Sequence, residues 1–270
     1  MKTVFITGAS SGIGKATAHY FQKKGWNVVA TMRTPSREKS LNQLNNVTIL
    51  PLDVEDQTSI ERAISDAVER FGRIEVLVNN AGYAVTGPFE ATTAEQREKQ
   101  FNVNVFGLMR VTKALLPLFR AQQEGVIINI SSLGGRVTIP LYSLYFSTKW
   151  AIEGFTESLA YELSPFNIRV KLIEPGATKT DFTSRGQVIA NTSSVPAYAP
   201  YVEKIRQRTS SAATKNLSPS EVVAKTIYRA ATDGSHKLRY PCAGKAKLIL
   251  WIRRLLGYRL YTRIVRRVMG

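Results

Sequence analysis

The chain has 270 residues, 44% of them hydrophobic, which is enough for the buried core of a single α/β domain. Cys242 is the only cysteine, so the chain cannot form an internal disulfide. The sequence has no paired Cys or His spacing that would predict a metal site, and no run of about 18 apolar residues that would predict a transmembrane helix. The formal net charge is +17, but ten positive charges follow Asp233, the last acidic residue. The charge therefore predicts a basic tail and no nucleic-acid-binding module.

Strand-like and helix-like runs alternate along the chain. Apolar, β-branched runs predict six strands, at Thr3–Thr7, Trp26–Met32, Val47–Asp53, Ile74–Asn80, Gly125–Ser132 and Ile168–Gly176. A helix ending near Lys24 follows the first strand, and helical spacing from Asp56 to Phe71, closed by Gly72, predicts another. Because uninterrupted apolar strands are typical of sheets covered on both faces, the pattern predicts an α/β fold with a doubly wound parallel sheet.

A glycine-rich turn, "TGASSGIG" from Thr7 to Gly14, connects the first strand to the first helix. Glycines let the backbone approach a pyrophosphate, and the free N–H groups and dipole of a helix N-terminus favour that anion. The spacing of Gly8, Gly12 and Gly14 differs from the common G-x-G-x-x-G pattern. A tight connection without a ligand is the alternative, but the β-α-β context favours a dinucleotide site.

Five motifs follow one another in the chain: the glycine turn, "NNAG" (Asn79–Gly82), Ser132, "YFSTK" (Tyr145–Lys149) and "PGATKT" (Pro175–Thr180). Their order and approximate spacing resemble the short-chain dehydrogenase/reductase family, closely over Lys2–Thr180. The resemblance implies a Rossmann fold and an oxidoreductase that acts on CH–OH groups with a nicotinamide cofactor.

Two tyrosines in "YSLYFSTKW", Tyr142–Trp150, compete for a catalytic role. Hydride transfer at an alcohol carbon needs a general acid/base beside the oxygen, and tyrosine, with a pKa of about 10, needs an adjacent cation to favour the phenolate. Residues four apart share a helix face, so Tyr145 lies beside Lys149, whereas Tyr142 is two turns away. The register predicts Tyr145 as the acid/base and Lys149 as the cation that lowers its pKa.

The resemblance adds two catalytic residues. The family's serine, thirteen residues before the tyrosine, is Ser132, which would hydrogen-bond the substrate oxygen. Its neighbour Ser131 should face away, because successive strand side chains point to opposite faces. Asn104, selected over Asn102 by the N-x-x-G spacing, matches the family's residue that organises a proton-relay water. Its alternative role is to satisfy backbone groups within a helix.

The end of the second strand bears on the cofactor. It offers Arg33 and no acidic residue before Glu38, and an arginine can bind a 2′-phosphate that a carboxylate would repel. NADP is therefore favoured over NAD. Arg33 as a plain surface charge stays open, because Ser11 stands where the family has its other basic determinant. The resemblance implies cofactor contacts from Gly8, Ser10, Ser11, Gly12, Ile13, Gly14, Arg33, Asp53, Val54, Asn79, Asn80, Ala81, Gly82, Tyr145, Lys149, Pro175, Gly176, Thr178 and Thr180.

The remaining chain divides at two predicted boundaries. Residues 1–244 are expected to form the catalytic domain, with a Ser-, Ala- and Pro-rich substrate loop at about 181–217. Residues 245–270 form a basic amphipathic helical tail, which lies on an anionic membrane or packs on the domain or a second subunit. The expected localisation is cytoplasmic, with peripheral membrane association if the tail binds lipid.

The tail and the "ATMR" strand end resemble the hydroxysteroid- and retinol-dehydrogenase-like branch of the family. The expected function is hydride transfer between NADP(H) and a lipophilic small molecule, a steroid-, retinoid- or ketone-like carbonyl or secondary alcohol, by a homodimer or homotetramer. One alternative is a 3-oxoacyl-carrier-protein-type ketoreductase. The other is a catalytically idle cofactor-sensing or membrane-bound scaffold, which would not need Ser132, Tyr145 and Lys149 together.

Overall fold

The fold is built on a seven-stranded parallel sheet. The computed structural model describes residues 1–180, 186–213 (the backbone alone for 209–213) and 217–269. The sheet strands are β1 (Thr3–Ile6), β2 (Asn27–Met32), β3 (Val47–Pro51), β4 (Val76–Asn79), β6 (Gly125–Ile130), β7 (Ile168–Pro175) and β11 (Arg239–Cys242). Two short parallel pairs join β5 (Ala84–Thr86) to β9 (Gln187–Ile189), and β8 (Thr178–Lys179) to β10 (Ser218–Pro219).

Helices cover both faces of the sheet. They are α1 (Gly12–Lys23), α2 (Gln57–Phe71), α3 (Ala94–Phe101), α4 (Leu108–Gln122), α5 (Ser143–Leu163), α6 (Ala199–Ala213), α7 (Ser220–Thr232) and α8 (Ala246–Met269). Asp56 caps α2 by accepting hydrogen bonds from two backbone amides, and Gly72 ends it with a φ of 72°.

Successive residues of one strand enter different cores. Val4 and Ile6 of β1 pack with α1 and α7, whereas Phe5 packs with α2, α4 and α5. The strands are therefore apolar at every position, because each face of the sheet has its own core. The predicted α/β, doubly wound parallel sheet is confirmed.

The strand order is β11-β7-β6-β4-β1-β2-β3. The chain winds outward from β1 to β3, then returns to the other side of β1 with β4 and continues to β11. Ligands bind at such a switch point, in the crevice beyond the carboxyl ends of the strands. The crevice lies beyond β1 and β4.

Two regions differ from the sequence expectation. Most of the predicted substrate loop is described, and it contains β9 and α6; its residues 181–185 and 214–216 lie outside the described part. The tail is helical, as predicted, but α8 is broken at Gly257, whose φ of 64° and ψ of 175° are not helical. In the described ranges, no helix combines the length and apolar character needed to span a bilayer.

Candidate active site

The glycine turn after β1 packs directly against the turn after β4. Gly8 has a φ of +66°, and a Cβ there would lie 2.8 Å from the Cα of Ala81. A Cβ on Gly14 would overlap the Gly8 carbonyl oxygen and lie 2.5 Å from Nδ2 of Asn80. Only glycine fits at these two positions. The backbone is thereby exposed to a ligand at the crevice.

The N-terminus of α1 has the properties of an anion site. Ser11 precedes the helix in an extended conformation, but its side chain forms no capping hydrogen bond, and the first turn has no acidic residue. The Ser11 side chain therefore does not occupy the first amides of α1, and the helix dipole adds positive potential at this end. This arrangement fits the pyrophosphate of a dinucleotide, with Ser10, Ser11, Gly12 and Ile13 around it.

Asn80 and Thr7 fix the shape of the turn. Nδ2 of Asn80 donates to the carbonyl oxygens of Thr7 and Gly8 at 3.0 and 2.9 Å, and Oγ1 of Thr7 accepts from the amides of Asn80 and Ala81. Asn79, by contrast, is buried and donates to Thr112 and Asn129. Asn80 therefore supports the glycine turn, while Asn79 joins β4 to β6 and α4. Sequence reasoning did not single out Thr7.

The end of β2 offers a positive charge and an occupied carboxylate. Arg33 is exposed directly after the strand. Glu38 is buried and bonded to Nζ of Lys15 at 3.0 Å and to the amides of Ser40 and Leu41. These hydrogen bonds outweigh burial and lower the pKa of Glu38 to about 2. The carboxylate of Glu38 is therefore occupied by hydrogen bonds to Lys15 and to the loop after β2.

The next strand end holds the predicted adenine contacts. Oδ1 of Asp53 accepts from the amide of Glu55 at 3.0 Å, and the amide of Asp53 donates to Ser59. Val54 is buried against Gly107, where a Cβ would lie 2.7 Å from Cγ2 of Val54. Both residues therefore stand in a rigid turn beyond β3.

The proposed catalytic side chains meet beyond β6. Tyr145 is buried on α5, and its hydroxyl is hydrogen-bonded to the side chain of Ser132. Oγ of Ser132 also accepts from the amide of Gly134 at 3.0 Å, which fixes its orientation. Lys149 lies one turn along α5, with Nζ 5.7 Å from the centroid of the Tyr145 ring. The structure therefore brings Ser132, Tyr145 and Lys149 together.

Burial dominates the protonation of this cluster. It raises the pKa of Tyr145 well above its ordinary range; the hydrogen bond from Ser132 opposes the increase, and Tyr142 adds to it. Burial lowers the pKa of Lys149 to about 8, against the opposing charge of Glu153. Nζ of Lys149 donates to the carbonyl oxygen of Ile130 at 2.8 Å. That Lys149 lowers the pKa of Tyr145 stays a prediction, which the position of its Nζ 5.7 Å from the centroid of the tyrosine ring supports.

A buried charge network behind Lys149 was missed by sequence reasoning. Glu153 and Glu174 are almost fully buried, and Nε of Arg239 lies 3.1 Å from Glu153 and 3.6 Å from Glu174. Glu174 also contacts Arg136 at 3.2 Å. Burial and the charge of Glu153 raise the pKa of Glu174 to about 7. The network ties α5 to β7, to β11 and to the loop after β6. Ser131 lies on the same side, and its hydroxyl opposes the rise that burial causes in the pKa of Glu153.

Asn104 lies in a π-helical turn, Asn102–Gly107, between α3 and α4. Its side chain is buried, accepts from the amide of Tyr83 at 3.0 Å, and donates to the Tyr83 carbonyl oxygen at 2.8 Å and to Thr148 at 3.1 Å. Such turns occur frequently at functional sites. Here the side chain satisfies backbone groups, the alternative considered for Asn104, next to the catalytic helix.

The turn after β7 closes the other side of the crevice. The amide of Gly176 donates to the Cys242 carbonyl oxygen at 2.8 Å, and Oγ1 of Thr178 donates to the Gly176 carbonyl oxygen at 2.9 Å. A Cβ on Gly12 would lie 3.2 Å from the Thr180 side chain. Pro175 to Thr180 therefore reaches across to the glycine turn.

An apolar wall packs beside Tyr145. Tyr142 stacks on Phe146 with ring centroids 5.3 Å apart, and Ile139 and Ala84 pack with them. Gln187 of β9 hydrogen-bonds the Tyr142 hydroxyl. Tyr142 has no contact to Lys149 of the kind that Tyr145 makes.

The switch point holds a glycine cradle that fits a dinucleotide, at the N-terminus of α1, and a cluster of Ser132, Tyr145 and Lys149. Together these features define a nicotinamide-dependent oxidoreductase. The family model of the short chain dehydrogenases matches residues 2–215. The chain therefore belongs to the short-chain dehydrogenase/reductase family and acts on CH–OH groups, as the motifs predicted.

Individual relatives extend this comparison. The 3-ketodihydrosphingosine reductase of Bacteroides thetaiotaomicron is 40% identical over 196 residues, which cover 73% of this chain and 71% of the relative. A short-chain dehydrogenase structure from Streptomyces avermitilis has a TM-score of 0.84 at 33% identity, and the match covers 98% of this chain and 97% of that one. The structure of ElxO with NADP bound has a TM-score of 0.75 at 30% identity, with coverages of 92% and 99%.

Proposed function

We propose that the protein transfers hydride between NADP(H) and a lipophilic carbonyl or secondary alcohol of the steroid, retinoid or long-chain ketone kind. The observation that carries the chemistry is the buried hydrogen bond between Tyr145 and Ser132, with Lys149 beside the ring. The apolar wall of Tyr142 and Phe146 supports a lipophilic substrate. A relative named for a ketone reduction in a long-chain lipid is consistent with it.

Each side chain has a distinct role in this mechanism. When bound, the nicotinamide would donate or accept the hydride at the substrate carbon. The Tyr145 hydroxyl, kept protonated at neutral pH by burial, donates its proton to the carbonyl oxygen during reduction. Ser132 hydrogen-bonds that oxygen as its charge develops. The Lys149 ammonium, anchored on the Ile130 carbonyl oxygen, stabilises the phenolate that remains.

The pair of tyrosines provides a matched test. Tyr145→Phe should reduce kcat for carbonyl reduction by roughly 10²- to 10⁴-fold, because it removes the proton donor. Tyr142→Phe keeps the ring of the apolar wall and should alter KM more than kcat. NADPH oxidation with a panel of ketones, aldehydes and retinoids measures both. Full activity in Tyr145→Phe would refute the mechanism, and turnover of acetoacetyl thioesters alone would favour the carrier-protein ketoreductase.

NADP(H) is the cofactor proposed, on the basis of the end of β2. Arg33 is exposed beside the crevice, and Glu38 is bonded to Lys15 and its own loop. The ElxO neighbour binds NADP. Arg33→Ala should weaken NADPH binding with little effect on NADH, whereas Arg37→Ala, an exposed arginine of the same loop, should change neither. Equal loss of both cofactors would contradict the assignment.

The proposal includes a contact between subunits and a contact with a membrane. Short-chain dehydrogenases commonly form dimers or tetramers. Three exposed aromatic side chains are suited to a subunit contact: Trp150 and Tyr161 on α5, and Phe106 just before α4. The basic C-terminal helix is proposed to contact a membrane peripherally. Sedimentation velocity of Trp150→Ala and Tyr161→Ala tests the first, and vesicle binding tests the second.

A further inference from the structure

The first half of α8 turns an apolar row toward solvent. Leu248, Trp251 and Leu255 are spaced by three and four residues and are exposed to 51%, 59% and 62%. Ala246, on the opposite side, is buried. The helix thus packs on the domain through one side only. Its other side presents a row that the domain does not cover.

The second half repeats this arrangement. Leu260, Ile264 and Val268 are exposed, four residues apart, and Arg259, Arg263 and Arg267 form the adjacent row. The sequence predicts an amphipathic tail, and the structure leaves this apolar row of the tail uncovered. Tyr258, between the halves, is also exposed. We call the exposed apolar residues of α8 and the cations beside them the docking face; it comprises Lys247, Leu248, Trp251, Arg254, Leu255, Tyr258, Arg259, Leu260, Arg263, Ile264, Arg267 and Val268.

The charge of α8 identifies what this face fits. The helix carries seven lysines and arginines and no acidic residue: Lys247, Arg253, Arg254, Arg259, Arg263, Arg266 and Arg267. Arg253 is held over the rings of Trp150 and Tyr261 at 5.4 and 5.5 Å. A second copy of the chain that docked through its own α8 would bring an equal positive charge against this face, which repels it. Anionic lipid headgroups complement the charge, and the acyl boundary accepts Trp, Leu and Ile side chains.

The inner side of α8, opposite the docking face, packs beside the active site. α8 begins at Ala246, against Gly176 of the turn after β7. Arg253 stacks on Trp150, the residue after Lys149. At the far end, Nη1 of Arg208 on α6 donates to the Val268 carbonyl oxygen at 2.9 Å. α8 therefore runs from the turn after β7, which closes one side of the crevice, to α6 of the predicted substrate loop.

We propose that the docking face binds the surface of an anionic bilayer and so holds the substrate side of the crevice against the membrane. This placement of the crevice against the membrane rests on the proposed function, because only a lipophilic substrate gains from entering through lipid. The two halves of α8, on either side of the break at Gly257, both lie in the interface, with their apolar rows below the headgroups and the arginines among the headgroups.

Vesicle co-sedimentation of the full-length protein tests the docking without any turnover. The wild type should pellet with vesicles of 70% phosphatidylcholine and 30% phosphatidylserine, not with phosphatidylcholine alone, and should be released by high salt. Arg263→Gln with Arg267→Gln should lower partitioning roughly 25-fold, because each lost charge lowers it about fivefold. The control Arg62→Gln with Lys225→Gln removes two exposed charges elsewhere and should bind like the wild type.

The apolar contribution is tested in the same assay. Trp251→Ala with Leu255→Ala should lower partitioning roughly tenfold or more, whereas Phe89→Ala with Val222→Ala, two other exposed hydrophobics, should have no effect. Equal binding to neutral and anionic vesicles, or unchanged partitioning of the docking variants, would overturn the proposal. So would a wild type that stays in the supernatant and whose oligomer dissociates in Trp251→Ala with Leu255→Ala, because the face would then be a subunit contact.

Turnover separates the two proposals. With a long-chain ketone in anionic vesicles, the docking variants should lose activity, while their activity on a water-soluble ketone should equal that of the wild type. Binding without turnover of any carbonyl would leave the docking intact and refute the proposed function. Equal loss on both ketones would refute delivery through the bilayer.

Discussion

We predict that the buried positive charge of Lys149 lowers the free energy of unfolding of the protein. Burial lowers its pKa from 10.5 to about 8, and at about 1.4 kcal/mol per pH unit this difference corresponds to about 3 kcal/mol of unfavourable free energy when the lysine is charged. Lys149→Met removes that charge and fills a similar volume. It also removes the hydrogen bond to the Ile130 carbonyl oxygen, which offsets about 1 to 2 kcal/mol. The variant should be about 1 to 2 kcal/mol more stable at pH 7 and inactive.

The stability difference between Lys149→Met and the wild type should depend on pH. Between pH 8 and 10.5 the unfolded chain retains the proton on Lys149 that the folded protein has lost, so the stability of the wild type rises with pH across this range. The advantage of Lys149→Met should therefore shrink from pH 8 upward and vanish or reverse near pH 10. Urea unfolding followed by circular dichroism at fixed protein concentration, from pH 7 to 10, measures the difference between the two proteins.

A control separates this effect from a general change of charge. Lys225 is exposed on α7, so Lys225→Met should change stability by less than about 0.5 kcal/mol at every pH. A Lys149→Met variant less stable than the wild type at pH 7, or a difference that stays constant from pH 8 to 10, would show that burial of this ammonium is not the dominant effect.

Three further predictions concern the site. Asn104→Ala should destabilise the fold by about 2 to 4 kcal/mol in urea unfolding, because both backbone groups of Tyr83 lose a partner; an effect no larger than that of Asn102→Ala would contradict this. Gly14→Ala should weaken NADPH binding more than tenfold in a fluorescence titration, whereas Gly154→Ala, with open space around it, should not; matching affinities would refute the cradle. The rate of carbonyl reduction should fall as pH rises past about 8, where the site lysine loses its proton, and a flat profile from pH 7 to 9 would exclude that role.

Strand positions were predictable because both faces of the sheet are buried. Val4 and Phe5 enter different cores, so the strand is apolar throughout and its pattern is visible in the sequence. β11 was not predicted, because Arg239 and Pro241 interrupt a short edge strand. Edge strands have one neighbour and fewer apolar positions, and their placement depends on long-range pairing, here with β7.

Some residues of the site were likewise predictable from the sequence, and others were not. Tyr145 and Lys149 lie on one helix, so helical spacing relates them. Glu153 is also on this helix, four residues after Lys149, and this spacing was a signal available in the sequence. Its partners were not, because Glu174 and Arg239 reach it only when β7 and β11 lie side by side. Networks between distant segments become visible with the topology.

The short pairing of β8 with β10 has a consequence for exchanging parts between relatives. Thr178 pairs with Ser218 and Lys179 with Pro219, and the Ser218 amide donates to the Ala177 carbonyl oxygen at 3.1 Å. The two ends of the intervening segment are thus fastened together at its base, independently of its length or content. Residues 181–217, the predicted substrate loop, can be treated as a cassette. If this segment selects the substrate, as we propose, grafting it from a homologue should transfer substrate preference while leaving the sheet and the cofactor crevice unchanged.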